Sequence, residues 1–579
     1  MIDVDGLTVS FGGPPAVRDV SFQVAPGECL AIVGESGSGK SVTARALVGL
    51  AGDRATVSSR GLTFDGQDLS RLSEAGWRGV RGRRIGLILQ DALVSLDPLR
   101  TVGAEVTETL RTHDVVPARE RNRRMLELLA EAGIPDPEHR AGQHPHELSG
   151  GLRQRALIAS VVAAGPSLLV ADEPTTALDA TVQVQILDLL GRLKEAGSAL
   201  LLISHDLAVV SRLADRVAVM YAGRIVEEGP AADLLADPAH PYTRALMAAV
   251  PAAHAKGTLL SVLHAGPSGA CAYASRCALA DDTCREEDPP HADVAPGRRA
   301  RCHRPFERLP ELPPVGLGGD RKAGPVLLSA DGLVKRFKDR TAVDDVSFEL
   351  RAGETLGLVG ESGSGKTTVA RIALGLLDPD EGTVMLGERR WSGVREKERR
   401  PGRRRIQAVY QDPLGSFDPR HSVERIVGEA VAITGSPRNR RRARVIELLD
   451  QVGLATGLLE RRPLEMSGGQ RQRVAIARAL ATGPDVLVCD EPVSALDVSI
   501  QAQILDLLAT LQRDLAVAML FISHDLGVIH HVSDRIAVMK DGRIIESGPV
   551  AEVFGSPKEP YTKELLAAVP ALTSERSPR

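Results

Sequence analysis

The stretch GESGSGKS (34–41) returns as GESGSGKT (360–367), 326 residues further along a chain of 579. Both copies fit G-x-x-x-x-G-K-S/T. In that pattern backbone N–H groups wrap phosphate oxygens, the lysine reaches the terminal phosphates and the hydroxyl ligates magnesium. The glycines let the backbone approach an anion closely at angles that side chains forbid. An apolar run, CLAIVG (29–34), precedes the first copy, and a helical-period segment, SVTARALVGL (41–50), follows it. Strand, glycine loop and helix N-terminus form the context such a loop needs.

The repetition extends well beyond the loops. VRDVSFQVAPGE (17–28) answers to VDDVSFELRAGE (343–354), HELSGGLRQRALIA (146–159) to LEMSGGQRQRVAIA (464–477), and LLVADEPTTALDATVQVQILDLL (168–190) to VLVCDEPVSALDVSIQAQILDLL (486–508). LLISHDLAVV (201–210) answers to LFISHDLGVI (520–529), and HPYTRALMAAVP (240–251) to EPYTKELLAAVP (559–570). The offset falls from 326 at the lysines to 318 at the Ser-Gly-Gly motifs, so a variable segment lies between those landmarks. A period this long means tandem domains. Short apolar runs alternating with helical-period segments predict buried strands of an α/β sheet in each copy. The expected organisation is a first domain over 1–254, a cysteine-bearing extension and linker over 255–325, and a second domain over 326–579.

Composition bounds the function. The formal net charge of −4 argues against a chain that coats nucleic acid, and 43% hydrophobic residues suffice for sizeable cores. No uninterrupted apolar stretch reaches the length of a membrane span, and MIDVDGLTVSFGG (1–13) lacks the basic start and apolar run of a secretory signal, so a cytosolic chain is expected. The basic runs RPGRRR (400–405) and RNRRRAR (438–444) read as solvated faces, with no nucleic-acid partner expected.

Taken together, the ordered motifs resemble two fused nucleotide-binding domains of the ABC (ATP-binding cassette) family. The resemblance implies an α/β fold of tandem P-loop NTPase domains, each with a RecA-like core, an antiparallel β part and a helical subdomain. It also implies ATP and Mg2+ as cofactors. Gly34, Ser36, Gly37, Ser38, Gly39, Lys40, Ser41 and Val42 would cradle one ATP, and Gly360, Ser362, Gly363, Ser364, Gly365, Lys366, Thr367 and Thr368 the other. Phe11 and Phe337, each 29 residues before its lysine, would stack on adenine. Magnesium would be held by Ser41, Gln90 and Asp172, and by Thr367, Gln411 and Asp490. Glu173 and Glu491 would accept a proton from the attacking water or orient it, and His205 and His524 would contact the γ-phosphate. In the family, Ser149-Gly150-Gly151 closes over the nucleotide of the other copy, here that of Lys366, and Ser467-Gly468-Gly469 over that of Lys40. Asp179 and Asp497 would line that seam. Leu152 stands where the second copy has Gln470, so the two sites are expected to be intact but unequal.

The Pro-Tyr-Thr stretches, together with LQDALVSLDP (89–98) and YQDPLGSFDP (410–419), resemble the oligopeptide/dipeptide/nickel importer subfamily. That implies two transmembrane permeases and an extracytoplasmic binding protein as partners, and a peripheral position on the cytoplasmic face of the membrane. Cys271, Cys277, Cys284 and Cys302, spaced x5, x6 and x17, suggest thiolate ligation in a cytosolic chain. They resemble the subfamily's cysteine-bearing tail, which implies a 4Fe–4S cluster, with zinc or no metal as the alternatives. A ribosome-associated tandem ATPase, or an importer of nickel or glutathione-like thiols, are the other functional readings.

Overall fold

A computed structural model describes residues 1–579 apart from 91, 177, 179, 255, 262–268, 309–323, 339 and 568–579. The chain divides into two compact units. The first comprises Met1–Ala248 and Val262–Glu311, the second Ala249–Ser261 and Leu312–Arg579.

In the first unit the main sheet runs, in order, His291–Ala295, Arg298–Arg301, Arg224–Pro230, Arg216–Tyr221, Cys29–Val33, Ala199–Ile203, Leu168–Asp172 and Ile85–Ile88. The five strands from Arg216–Tyr221 to Ile85–Ile88 pair in parallel. Strands 29–33, 168–172 and 199–203 are buried at every residue, as expected of parallel strands covered on both faces. A separate antiparallel sheet orders Val17–Val24, Ile2–Ser10, Gly61–Phe64 and Gln67–Asp68. Its alternating inward residues, such as Val4, Leu62 and Phe64, share one core with Leu30, Ile32 and the apolar face of helix Lys40–Leu47. Helices Val102–Thr112, Arg121–Glu131 and Gly150–Val162 form the helical part.

The second unit repeats this plan. Its main sheet orders Ile406–Val409, Val486–Asp490, Ala518–Ile522, Thr355–Val359, Arg535–Lys540 and Arg543–Pro549, beside a four-stranded antiparallel sheet. The α/β reading of both copies therefore holds, as does the division into a parallel core, an antiparallel part and a helical part.

Two segments lie where local sequence gave no hint. The hairpin His291–Ala295/Arg298–Arg301 adds to the edge of the first unit's main sheet, Arg299 pairing with Glu228 and Ala300 with Glu227. Much of the cysteine-bearing stretch is thus part of a cassette. Residues 249–261 instead pack into the second unit. Asp506 accepts bonds from the backbone N–H groups of Leu260 and Ser261, both at 2.9 Å, and from the Ser261 hydroxyl at 2.6 Å. Lys256 pairs with Asp534 at 2.7 Å.

The basic runs are largely structural or solvated. Arg403 donates to the Leu374 and Gly375 carbonyls, Arg405 pairs with Asp485, and exposed Arg442 pairs with Glu424.

Candidate active sites

The first phosphate loop leaves the C-terminal end of the buried strand Cys29–Val33 and enters helix Lys40–Leu47. Two glycines make its shape possible. Gly34 has φ 151°, and a Cβ there would sit 2.1 Å from the Met220 carbonyl oxygen. Gly39 has φ 103°, and its Cβ would meet the Ala16 carbonyl at 2.6 Å. Any side chain would therefore force the loop open. Lys40 is buried, and its ammonium donates to the carbonyls of Gly34 at 2.7 Å and Glu35 at 2.9 Å, which aims it into the loop. Lys366 repeats this with Gly360 at 2.6 Å and Glu361 at 2.7 Å.

Beside the first loop, Ser41 donates its hydroxyl to Asp172 at 2.9 Å across 131 residues of sequence. Asp172 ends the strand Leu168–Asp172. Glu173 then takes φ 50°, a left-handed conformation uncommon for a residue with a Cβ, and its N–H is held by the Ile203 carbonyl at 2.9 Å. That turn aims the Glu173 carboxylate at three partners. His205 Nδ1 lies at 3.1 Å, Gln90 Nε2 at 2.7 Å and the Thr176 hydroxyl at 3.0 Å. Burial pushes this carboxyl up, but the bond and charge of His205, with Thr176 and Lys40, outweigh it and hold it below the usual range. Burial likewise depresses His205, yet Glu173 overrides it and raises the imidazole above its ordinary value. The arrangement is a fixed carboxylate–imidazole pair beside a buried lysine, suited to positioning a water against a phosphoryl group.

The second unit reproduces the core of this cluster and changes its edge. Glu491 also has φ 50°, and His524 Nδ1 lies 3.1 Å from it, with the same opposed shifts. Gln411, however, donates to the Ser494 hydroxyl at 3.2 Å rather than to the glutamate. Ser494 stands where the first copy has Thr176. The Ser-Gly-Gly turns differ too. Ser149 and Ser467 both cap their helices, accepting from Leu152 and Gln470 N–H groups at 3.4 and 3.3 Å. The Gln470 side chain also accepts the Ser467 N–H at 3.1 Å, completing a reciprocal capping box that Leu152 cannot make.

Ser36, Gly37, Ser362 and Gly363 are exposed on the loops; on the following helices Thr367 is exposed and Val42 and Thr368 are half-buried. Phe11 and Phe337 are 45% and 48% exposed at the ends of strands Ile2–Ser10 and Val326–Phe337, with the Lys335 ammonium 5.8 Å from the centre of the Phe337 ring. Asp497 caps helix Val498–Leu515 through the Ile500 N–H at 3.1 Å. Asp179 lies outside the described residues.

Sequence reasoning does not single out four residues that shape the loops. The Tyr242 hydroxyl accepts the Glu35 N–H at 2.9 Å, and Tyr561 accepts the Glu361 N–H at 3.1 Å. The Pro-Tyr-Thr tyrosines thus reach back over about two hundred residues to hold both phosphate loops. Their recurrence in both copies was the available signal.

A divalent cation fits the acidic end of each site. Asp490 Oδ1 is buried without a hydrogen-bond partner, and burial raises the Asp490 and Asp172 carboxyls, so a cation beside them would relieve both. Magnesium held by Ser41 and Asp172, and by Thr367 and Asp490, would neutralise phosphate charge. The cysteines fit their expectation less well. Their chemistry is suitable: Cys302, pushed up to about 11 chiefly by burial, lies within electrostatic reach of the other three, and its sulfur accepts the Arg304 N–H at 3.3 Å. Yet among the described residues no group of three or more His, Cys, Asp or Glu side chains is placed to hold a metal ion. The iron–sulfur expectation thus finds four neighbouring thiols but no ligand shell. Cys29 and Cys489 are buried strand residues, both pushed up to about 12 by burial.

Comparison with known proteins agrees with this geometry. The ABC transporter family matches residues 17–176 and 343–494, and a second family, the oligopeptide/dipeptide transporter C-terminal region, matches 226–284 and 545–579. The oligopeptide transport ATP-binding protein OppD of Mycobacterium tuberculosis is 44% identical, with 98% of each chain covered. The peptidoglycan transport ATP-binding protein YejF of Agrobacterium fabrum is 43% identical over 98% of this chain and 96% of its own. The glutathione import ATP-binding protein GsiA of Escherichia coli O157:H7 is 42% identical over 97% and 87%. Two phosphate loops, two glutamate–histidine pairs and this pattern of relatives lead to one conclusion: the chain belongs to the ABC transporter family, as a two-cassette ATPase of its oligopeptide/dipeptide branch.

Proposed function

We propose that this chain couples ATP hydrolysis at two sites to the import of short peptides through partner permeases. The observation that carries the reading is the paired constellation of Lys40, Asp172, Glu173 and His205 with Lys366, Asp490, Glu491 and His524, joined in one chain to the C-terminal regions of peptide importers. The three relatives are named for oligopeptides, peptidoglycan and glutathione, cargoes that share peptide bonds, which favours peptides over nickel. Two permeases and an external binding protein would supply the pathway and the selectivity. Work through partner permeases would place the chain peripherally on the cytoplasmic face; among the described residues no helix is long and apolar enough to cross a membrane.

At each site the glutamate orients water or takes its proton, the histidine contacts the γ-phosphate and the lysine neutralises the terminal phosphates. Gln90 and Gln411 adjoin the water and the cation, while Phe11 and Phe337 stack on adenine. The Ser-Gly-Gly turns act on the nucleotide held by the other copy. In its own unit each turn is exposed at Ser149-Gly150 and Ser467-Gly468, with its serine bonded to its own helix, which leaves helix N–H groups outward for an anion. The four cysteines, near one another but not arranged as a ligand shell, are tested for a thiolate-bound iron–sulfur or zinc centre by iron, sulfide and zinc content after anaerobic purification.

The test of the import reading is uptake of isotopically labelled tri- to pentapeptides by cells whose only route is this chain and its co-purifying permeases. Uptake that vanishes in the Glu173→Gln/Glu491→Gln variant supports it. Sedimentation of the chain with ribosomes rather than membranes contradicts it.

A further inference from the structure

We infer that Arg276, carried by the cysteine-bearing extension, is a positioning residue for the first phosphate loop alone, so that the fold of the extension sets ATP affinity at one of the two sites. The inference rests on the reading of residues 34–41 as an ATP loop.

Arg276 and Glu35 are 241 residues apart in sequence. In the structure the guanidinium grips the carboxylate with both arms, Nη1 donating to Oε2 at 2.7 Å and Nη2 to Oε1 at 2.8 Å. Such a fork fixes direction as well as distance. The guanidinium also lies over the rings of Tyr221 and Tyr273, at 5.9 and 5.8 Å. Those rings meet edge-on at 5.2 Å, and Tyr273 packs against Tyr242 at 5.5 Å. Arg276 is therefore held in place before it meets the loop.

What it holds is part of the site. Glu35 is bound at three points: its N–H by Tyr242, its carboxylate by Arg276, and its carbonyl by the Lys40 ammonium at 2.9 Å. Moving Glu35 moves one of the carbonyl seats of Lys40. The position of Arg276 depends in turn on the cysteine segment. Its turn is built by bonds from Ala274 N–H to the Cys271 carbonyl at 3.1 Å and from Cys277 N–H to the Ala274 carbonyl at 3.3 Å. The Cys271 N–H is tied to the Cys284 carbonyl at 3.0 Å. A change that reshapes the cysteines is thus passed to Glu35 through the Arg276 fork, with the Tyr273–Tyr242 contact beside it. The second unit keeps the tyrosine–glutamate bond, but Lys540 replaces Tyr221 and places its ammonium 4.5 Å from the Tyr561 ring. The aromatic seat for an arginine is present in the first unit only, among the described residues.

The test uses the full chain in two backgrounds, Lys366→Ala, in which only the first loop binds, and Lys40→Ala, in which only the second does. ATP with magnesium is titrated calorimetrically into each. In the first background Arg276→Ala is expected to weaken ATP about tenfold, as the loss of one charge-assisted fork would, and Arg276→Lys to restore part of it. Glu35→Gln should reproduce the loss, and adding Arg276→Ala to it should cost little more, because the partner is already gone. In the second background Arg276→Ala should change affinity less than about twofold. Unchanged affinity in the first background, or equal losses in both, would overturn the inference. A Lys366→Ala chain with no ATP affinity before Arg276 is altered would overturn the proposed first site itself, and this inference with it.

Discussion

Replacing Glu173 and Glu491 together by glutamine probes the chemistry most sharply. Glutamine keeps the shape and can still bond Gln90 and Thr176, now 2.7 and 3.0 Å from Glu173, but it carries no charge and accepts no proton. Loss of a general base or water-orienting carboxylate costs about 10²–10⁴ in kcat, while ATP affinity, set by the loops, should hold within about threefold. The histidines give an independent readout. The carboxylate is lowered and the imidazole raised by their 3.1 Å contact. The glutamate's contribution to stability is present above its ordinary value of about 4.5 and fades as pH falls through its lowered one. The histidine's is present below about 6.5 and fades as pH rises through its raised one. The pair is thus strongest between those limits. In the glutamine variant burial acts on His205 with its main counterweight removed, so its pKa should drop below 6.5 in an NMR titration. A variant that turns over ATP at the normal rate, or a His205 titration that does not move, would refute the assigned pair.

Gly39→Ala should abolish ATP binding at the first loop in a nucleotide titration, because its Cβ would lie 2.6 Å from the Ala16 carbonyl at φ 103°. Tyr561→Phe removes the acceptor of the Glu361 N–H at 3.1 Å and should cost about 1 kcal/mol in denaturant unfolding, with a few-fold rise in the KM for ATP. Gln470→Leu breaks the second capping box and should lower stability by about 0.5–1 kcal/mol, leaving the second turn like the first. Asp506→Ala deletes three bonds to Leu260 and Ser261 and should make the 249–261 segment cleave faster under limited proteolysis, with ATP binding retained.

The parts that were legible in the sequence are those fixed by local pattern. Lys40 and Lys366 announce themselves by glycine spacing, and Asp172 and Glu173 by their place at the end of an apolar run. The parts that were not legible depend on pairings across the chain. Nothing near Tyr242 marks it as the partner of Glu35, and nothing near Arg299 says that its strand will add to the one bearing Glu228. Asp506 reads as one polar residue on an amphipathic helix, yet it anchors a segment some 245 residues earlier. The cysteines illustrate the converse. Their spacing was suggestive, but ligand geometry depends on three-dimensional placement that spacing alone does not determine.

The account depends most on each cassette's serine-glycine turn acting on its sibling's nucleotide. Ser149→Arg, placed in the full chain, tests this when ATP affinity is measured in the Lys40→Ala and Lys366→Ala backgrounds. The account predicts weakened binding where only Lys366 holds ATP and little change where only Lys40 does. Weakened binding confined to the Lys40 site would contradict it.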